Sequence, residues 1–215
     1  MMFEYLNIEL VGIYSTKVFL GGLPHDTKAY EIKDVFSVFG DIKNVEWPDS
    51  SNHPVYPPNG FAFVVYQNEK SVHHLLNYTK KDNITGALYV WFKSQTEFKP
   101  IEIRAWKCED STFIQKTFHF KKPKICCEVF IGGIPRSFSA VQLAGILEEH
   151  LKVNVFSVVI DVDTVHRYPK GTAKVAFSDS FDAWKAISVN KISLRIGNQL
   201  KHMEIKLFKK NVHAN

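Results

Sequence analysis

The sequence predicts an α+β protein built from two tandem βαββαβ units, each a four-stranded antiparallel sheet with two helices on one face. Three observations carry that expectation. Lys17-Val18-Phe19-Leu20-Gly21-Gly22-Leu23-Pro24 recurs as Glu128-Val129-Phe130-Ile131-Gly132-Gly133-Ile134-Pro135, displaced by 111 positions. Asn59-Gly60-Phe61-Ala62-Phe63-Val64-Val65-Tyr66 recurs as Lys170-Gly171-Thr172-Ala173-Lys174-Val175-Ala176-Phe177 at the same displacement. Two motifs sharing one offset mark an internal duplication. The third observation is apolar periodicity near 3.6 in the places where each unit requires helices.

The elements follow in order. Residues 1–16 fit a flanking tail or an added strand. Strand one is expected at about 17–22. Asp26 or Thr27 caps a helix over 28–39, where Ile32, Val35, Phe36 and Phe39 recur at helical spacing and Gly40 stops it. Ile42 to Trp47 is a short strand ended by Pro48, and a polar loop over 48–58 leads to the strand of Phe61. A helix over 69–80 turns Val72, Leu75 and Leu76 inward. Tyr89 to Phe92 reads as an extra strand or hairpin arm, and 101–106 is the fourth strand. Residues 107–124 are the expected linker, and 125–209 repeat the plan. Strands fall there at 128–133, 155–161, 171–177 and 202–208, with helices at 139–151 and 180–189. Residues 210–215 are a tail.

At 215 residues the chain has room for two domains of about 90 residues, each large enough for a core. Its 45% apolar share is that of an ordinary globular protein. No run of about 18 apolar residues exists to span a membrane. The N-terminus lacks a basic start and carries Glu4 and Glu9, unlike a secretion signal. Cys108, Cys126 and Cys127 offer neither a metal-ligand spacing nor an even disulfide set, so free thiols, a reducing compartment, no metal and no cofactor are expected. His73, His74 and His119 are scattered. No paired carboxylates, nucleophile-base arrangement or phosphate loop points to an enzyme.

Alternation assigns the faces. Ala62, Val64, Tyr66, Val18 and Leu20 serve the first core, which leaves Phe19, Phe61 and Phe63 on the helix-free face of the sheet. In strand four Ile101, Ile103 and Ala105 face the helices, and Arg104 and Trp106 join the rings. Trp47 shares its parity with Val45, which leaves ligand and core both open to it. Bare rings cost free energy unless covered, and a single-stranded base is a natural cover. In the second unit Phe130 keeps its ring, but Thr172 and Lys174 replace Phe61 and Phe63. Met203, Ile205 and Leu207 are expected to point inward, leaving Lys206 and Phe208 outside.

The hexapeptide of Phe19 and the octapeptide of Phe61 resemble the paired motifs of RNA recognition motifs. The octapeptide of that family begins with Lys or Arg; Asn59 stands here, and Lys170 in the repeat. The details narrow further. Lys17 to Pro24, Val45-Glu46-Trp47-Pro48, Ile103-Arg104-Ala105-Trp106, Asp110-Ser111-Thr112-Phe113 and Tyr168-Pro169-Lys170-Gly171 resemble the tandem RNA-binding region of cytoplasmic polyadenylation element-binding proteins, over about residues 15–208.

The resemblance implies a ferredoxin-like sandwich in each half and binding of single-stranded RNA. The RNA would be a U-run followed by A in messenger 3′ untranslated regions. It also implies control of tail length and translation, other translational regulators as partners, and a cytoplasmic protein that shuttles through the nucleus. Family members carry a Cys/His zinc module after the second motif; this chain ends at Asn215 without one, as expected of a fragment or of a member lacking it.

The expected mechanism stacks bases on Phe19, Phe61, Phe63 and Trp106, with Arg104 and Lys17 holding phosphates or base edges. Phe130, Phe208, Lys170, Lys174 and Lys206 serve the second unit. The net charge of +5 supports a division of labour: residues 17–106 balance ten basic against ten acidic side chains, whereas 107–124 carry +3 and 125–215 carry +4. A flexible linker of 18 residues spans about 23 Å. The alternative is that the open face, of the second unit especially, holds a partner peptide.

Overall fold

The computed structural model describes residues 12–48, 60–116, 127–197 and 199–208. They form two compact units. The first runs to Cys108 and takes in the tripeptide His166–Tyr168; the second comprises Glu109–Val165 and the chain from Pro169 on.

In the first unit the strands are β1 (Tyr14–Gly21), β2 (Ile42–Glu46), β3 (Phe61–Tyr66), β4 (Lys80–Lys81), β5 (Leu88–Lys93) and β6 (Phe98–Lys107). They pair antiparallel in the order β2-β3-β1-β6-β5-β4. Helices α1 (Ala29–Phe36) and α2 (Glu69–Tyr78) cover one face. There Val18, Leu20, Ala62, Val64, Ile101 and Ile103 from the sheet meet Ile32, Phe36, Val72 and Leu75 from the helices, all buried. Tyr66 is the largest fully buried side chain, and its hydroxyl donates to the Phe36 carbonyl at 3.1 Å. Burial pushes its pKa up. The cap of α1 differs from expectation. The capping position is Lys28, whose N–H donates to the Glu31 carboxylate at 2.7 Å, while Thr27 turns its hydroxyl to the Pro24 carbonyl. At the other end a 3₁₀ turn over Ser37–Phe39 precedes Gly40, whose φ of +145° only glycine adopts readily.

The second unit holds β7 (Thr112–Ile114), β8 (Glu128–Gly132), β9 (Val155–Val162), β10 (Pro169–Phe177), β11 (Lys191–Ile196) and β12 (Gln199–Leu207), with α3 (Ala140–Leu151) and α4 (Ser180–Val189). The sheet order is β11-β12-β8-β10-β9-β7. Ser139 and Gln142 close a reciprocal capping box on α3, at 3.2 and 2.9 Å. Asp179 caps α4 by accepting from the Asp182 N–H at 2.9 Å.

Three elements depart from the expected plan: the helix expected over 69–80 ends at Tyr78, and Lys80–Lys81 pairs with β5 as the short strand β4. Thr112–Ile114, assigned to the linker, pairs with β9 as an edge strand. β11 adds a sixth strand beyond β12. The 48–58 loop beyond Pro48, Asn59, residues 1–11, the second part of the expected linker (117–124) and the tail lie outside the described residues.

One connection is identical in both units. Gly60 and Gly171 precede the central residues of β3 and β10 with φ of +65° and +85°. Their carbonyls accept the N–H of Leu23 at 2.8 Å and of Ile134 at 2.9 Å. A Cβ at either glycine would sit 3.4 or 3.1 Å from the partner residue's carbonyl oxygen, in a backbone region side chains avoid.

Candidate nucleic-acid interface

In the first unit, strand pairing builds the face directly. Phe19 on β1 stands opposite Phe63 on β3 and Arg104 on β6. Residues paired across antiparallel strands share a face, so these three form one row. The next row runs Phe61, Gly21, Glu102, Tyr89, Lys80 across five strands. Gly21 leaves room in that row: a Cβ there would meet the Phe19 ring at 2.6 Å. The Phe19 and Phe61 rings lie 5.4 Å apart at 34°, both half-buried.

Arg104 spans this surface. Its guanidinium carbon sits 5.1 Å from the Phe19 centroid, while Nε and one terminal nitrogen donate to the two Glu102 oxygens at 2.6 and 2.8 Å. That bidentate pair fixes the guanidinium in place beside the Phe19 ring and raises its pKa further. Lys17 sits at the other side, bonded to Glu46, with its ammonium 4.6 Å from the Phe63 centroid.

Two rings expected to be bare are not. Phe63 keeps 8% of its exposure, because the Tyr168 ring packs edge-on against it at 5.6 Å and 75°. Trp106 leaves β6 on the side opposite Ala105, as alternation requires, yet only 5% of it is exposed. Its indole N–H has no acceptor among the described residues. Neither ring belongs to the core beneath α1 and α2, so helices do not cover them. Trp47 is also resolved: it packs partly buried against that core, away from the row of Phe19.

The second unit repeats the geometry with other chemistry. Phe130, half-buried, stands opposite Lys174 on β10 and Lys206 on β12. Lys174 is tied to Glu128 at 2.8 Å and lies 5.0 Å from the Phe208 ring. Lys206 pairs with Glu204 at 2.6 Å, and Thr172 donates to Asp161 at 2.7 Å. Lys170 is exposed. Leu207, expected inside, is 54% exposed, since the inward positions of β12 end at Ile205.

Comparison with known proteins adds to this geometry. Residues 15–105 match the RNA recognition motif family. The translational regulator orb2 of Drosophila melanogaster is 36% identical over 195 residues, covering 90% of this chain and 27% of that protein. Cytoplasmic polyadenylation element-binding protein 1 of Caenorhabditis japonica is 32% identical over 216 residues, covering 93% of this chain and 34% of that one. The chain belongs to the cytoplasmic polyadenylation element-binding family. It spans about a third or less of the length of these family members. The solved Sxl-lethal protein/RNA complex aligns at 18% identity over 90% of this chain and 99% of that one, with a TM-score of 0.34. A superposition that loose says nothing about ligand.

Both halves are RNA recognition motifs in tandem. Within that family frame, sequence reasoning placed Phe19, Phe61, Arg104 and Lys17 on one face, and Phe130, Lys174 and Lys206 on the other. It missed the carboxylates that hold the cations. Glu102 and Glu204 were there to find, each two positions before its partner on a strand and therefore on the same face. The described residues contain no group of three His, Cys, Asp or Glu side chains placed to hold a metal ion, and no helix long and apolar enough to cross a membrane.

Proposed function

We propose that the chain binds single-stranded RNA through the helix-free face of its first unit, with bases stacking on Phe19 and Phe61 and Arg104 extending the stack. The observation that carries this reading is the Phe19–Phe61 ring pair at 5.4 Å, with a bidentately held guanidinium beside it. Arg planes and phenyl rings offer any base a π-face, and the Arg charge adds attraction for phosphate. Lys17 supplies a second cation at the rim. The family's name and the translational regulator among the relatives support the finer reading. In it the target is a U-run followed by A in messenger 3′ untranslated regions, and binding governs tail length and translation in the cytoplasm together with other regulators.

Magnitudes bear on the mechanism. Two stacked bases contribute about 2–6 kcal/mol at roughly 1–3 kcal/mol each. A micromolar dissociation constant needs about 8 kcal/mol. Phe19 and Phe61 alone fall short, so further contacts must come from the tethered second unit or from more of the first sheet. A titration of the whole chain against U-rich, A-rich and C-rich oligomers at two salt concentrations tests the reading. Tightest binding to the U-rich oligomer, weakening steeply with salt, is expected. Indifference to all three oligomers would end it.

One observation favours a second reading for the second unit. Phe130 faces Lys174 and Lys206 and has Thr172 rather than a second ring beside it on β10, which lowers the capacity of this face to stack bases and suits a partner peptide. Binding to the isolated second face that ignores salt would select it.

A further inference from the structure

The open face of the first sheet does not end at Arg104. The row through Glu102 continues to Tyr89 on β5 and Lys80 on β4. Farther along, Trp91 stands opposite Pro100 and Lys93 opposite Phe98, so these side chains lie on the same side as Phe19 and Phe61. There the Trp91 and Phe98 rings stack on each other at 5.0 Å and 26° while remaining 50% and 65% exposed. Strand spacing and rise put Trp91 about 16 Å from Phe19, too far to touch the same base.

The fold does not demand rings at these places. In the second unit the corresponding positions, counted from Glu204 as these are from Glu102, hold Lys191, Ser193, Arg195 and Leu200. Two exposed, mutually stacked aromatics are costly to leave in water. The ammonium groups beside them also bear on what covers the patch. Lys80 and Lys93 are exposed and enter no ion pair recorded among the described residues. An apolar peptide would gain nothing from them. A nucleic-acid strand uses both, rings for bases and cations for phosphates.

We propose that Trp91 and Phe98 form a second stacking subsite on the first unit, taken by a nucleotide of the same RNA strand as it leaves the Phe19–Phe61 pair, with Tyr89 at its border and Lys80 and Lys93 on its phosphates. This rests on the RNA-binding reading above and extends it from a two-ring contact to a track crossing the sheet.

The test uses the full chain with two oligouridines, one long enough only for Phe19 and Phe61 and one about twice that length. The variant W91A/F98A should bind the short oligomer as the wild type does and the long one about tenfold more weakly. A 4-thiouridine cross-link should map to Trp91 with the long oligomer and not with the short. Equal losses on both lengths, or no loss on either, would overturn the subsite. So would wild-type self-association that the variant abolishes, which would assign the patch to a second copy of the chain. If the wild type binds neither oligomer, the RNA reading itself falls. If it binds both and the variant matches it on both, only the subsite falls.

Discussion

On the first sheet the outward positions of β1 and β3 carry Phe19, Phe61 and Phe63; on the second, the same positions of β8 and β10 carry Phe130, Thr172 and Lys174. The fourth strand tells a different story. Glu102 and Arg104 stand opposite Gly21 and Phe19, and Glu204 and Lys206 stand opposite Gly132 and Phe130. An acid two residues before a cation is thus present in both halves, while the rings beside it are kept in one and replaced in the other. Beyond it, Tyr89 and Trp91 face Lys191 and Ser193 as counterparts. The two faces therefore differ mainly in stacking capacity, and the paired charge is common to both.

The sharpest way to break that comparison is to remove rings from each side. F19A/F61A should weaken RNA binding at least about thirtyfold, two stacks at the low end of their range. F130A, losing a single ring, should cost less than about tenfold. Equal losses in parallel titrations would mean the faces are equivalent. Next in size comes a pair of glycine changes. In G21A the new Cβ would collide with the Phe19 ring at 2.6 Å, whereas in G132A the Phe130 ring is 3.4 Å away. G21A should cost about tenfold in affinity, comparable to losing one stack, and G132A little; a chemical-shift change confined to Phe19 would confirm the cause.

Replacing Arg104 by Lys keeps the charge but removes the planar fork shared between Glu102 and Phe19. A loss of about fivefold is expected, with K206R showing no comparable loss. The smallest effect is electrostatic. E204Q releases Lys206 from its carboxylate, and the logarithmic salt dependence of RNA binding should steepen by about one phosphate contact. An unchanged slope would show that Lys206 never meets the backbone.

Much of this architecture was legible because periodicity is a property of local sequence. Ile32, Val35, Phe36 and Phe39 announce α1, and the alternation of β3 divides Ala62, Val64 and Tyr66 from Phe61 and Phe63. The strand β11 was equally written, in Lys191, Ser193 and Arg195 against Ile192, Leu194 and Ile196, and went unread. Thr112–Ile114 could not be read, since three residues hold no period and the pairing partner lies some forty positions on. The site was legible in which face each side chain takes and illegible in what covers it. Tyr168 reaches Phe63 from 105 positions away in the chain, and no pattern near Phe63 signals that. Trp47 shows the same limit: alternation gave two readings, and only packing against the first core decided.

The strap from Leu23 to Gly60, matched by Ile134 to Gly171, fixes the mouth of each sheet with backbone atoms alone. No outward side chain takes part in it. The chassis is therefore insulated from its decoration. The same anchor can hold a sheet whose exposed side carries phenyl rings in one half and a threonine and a lysine in the other.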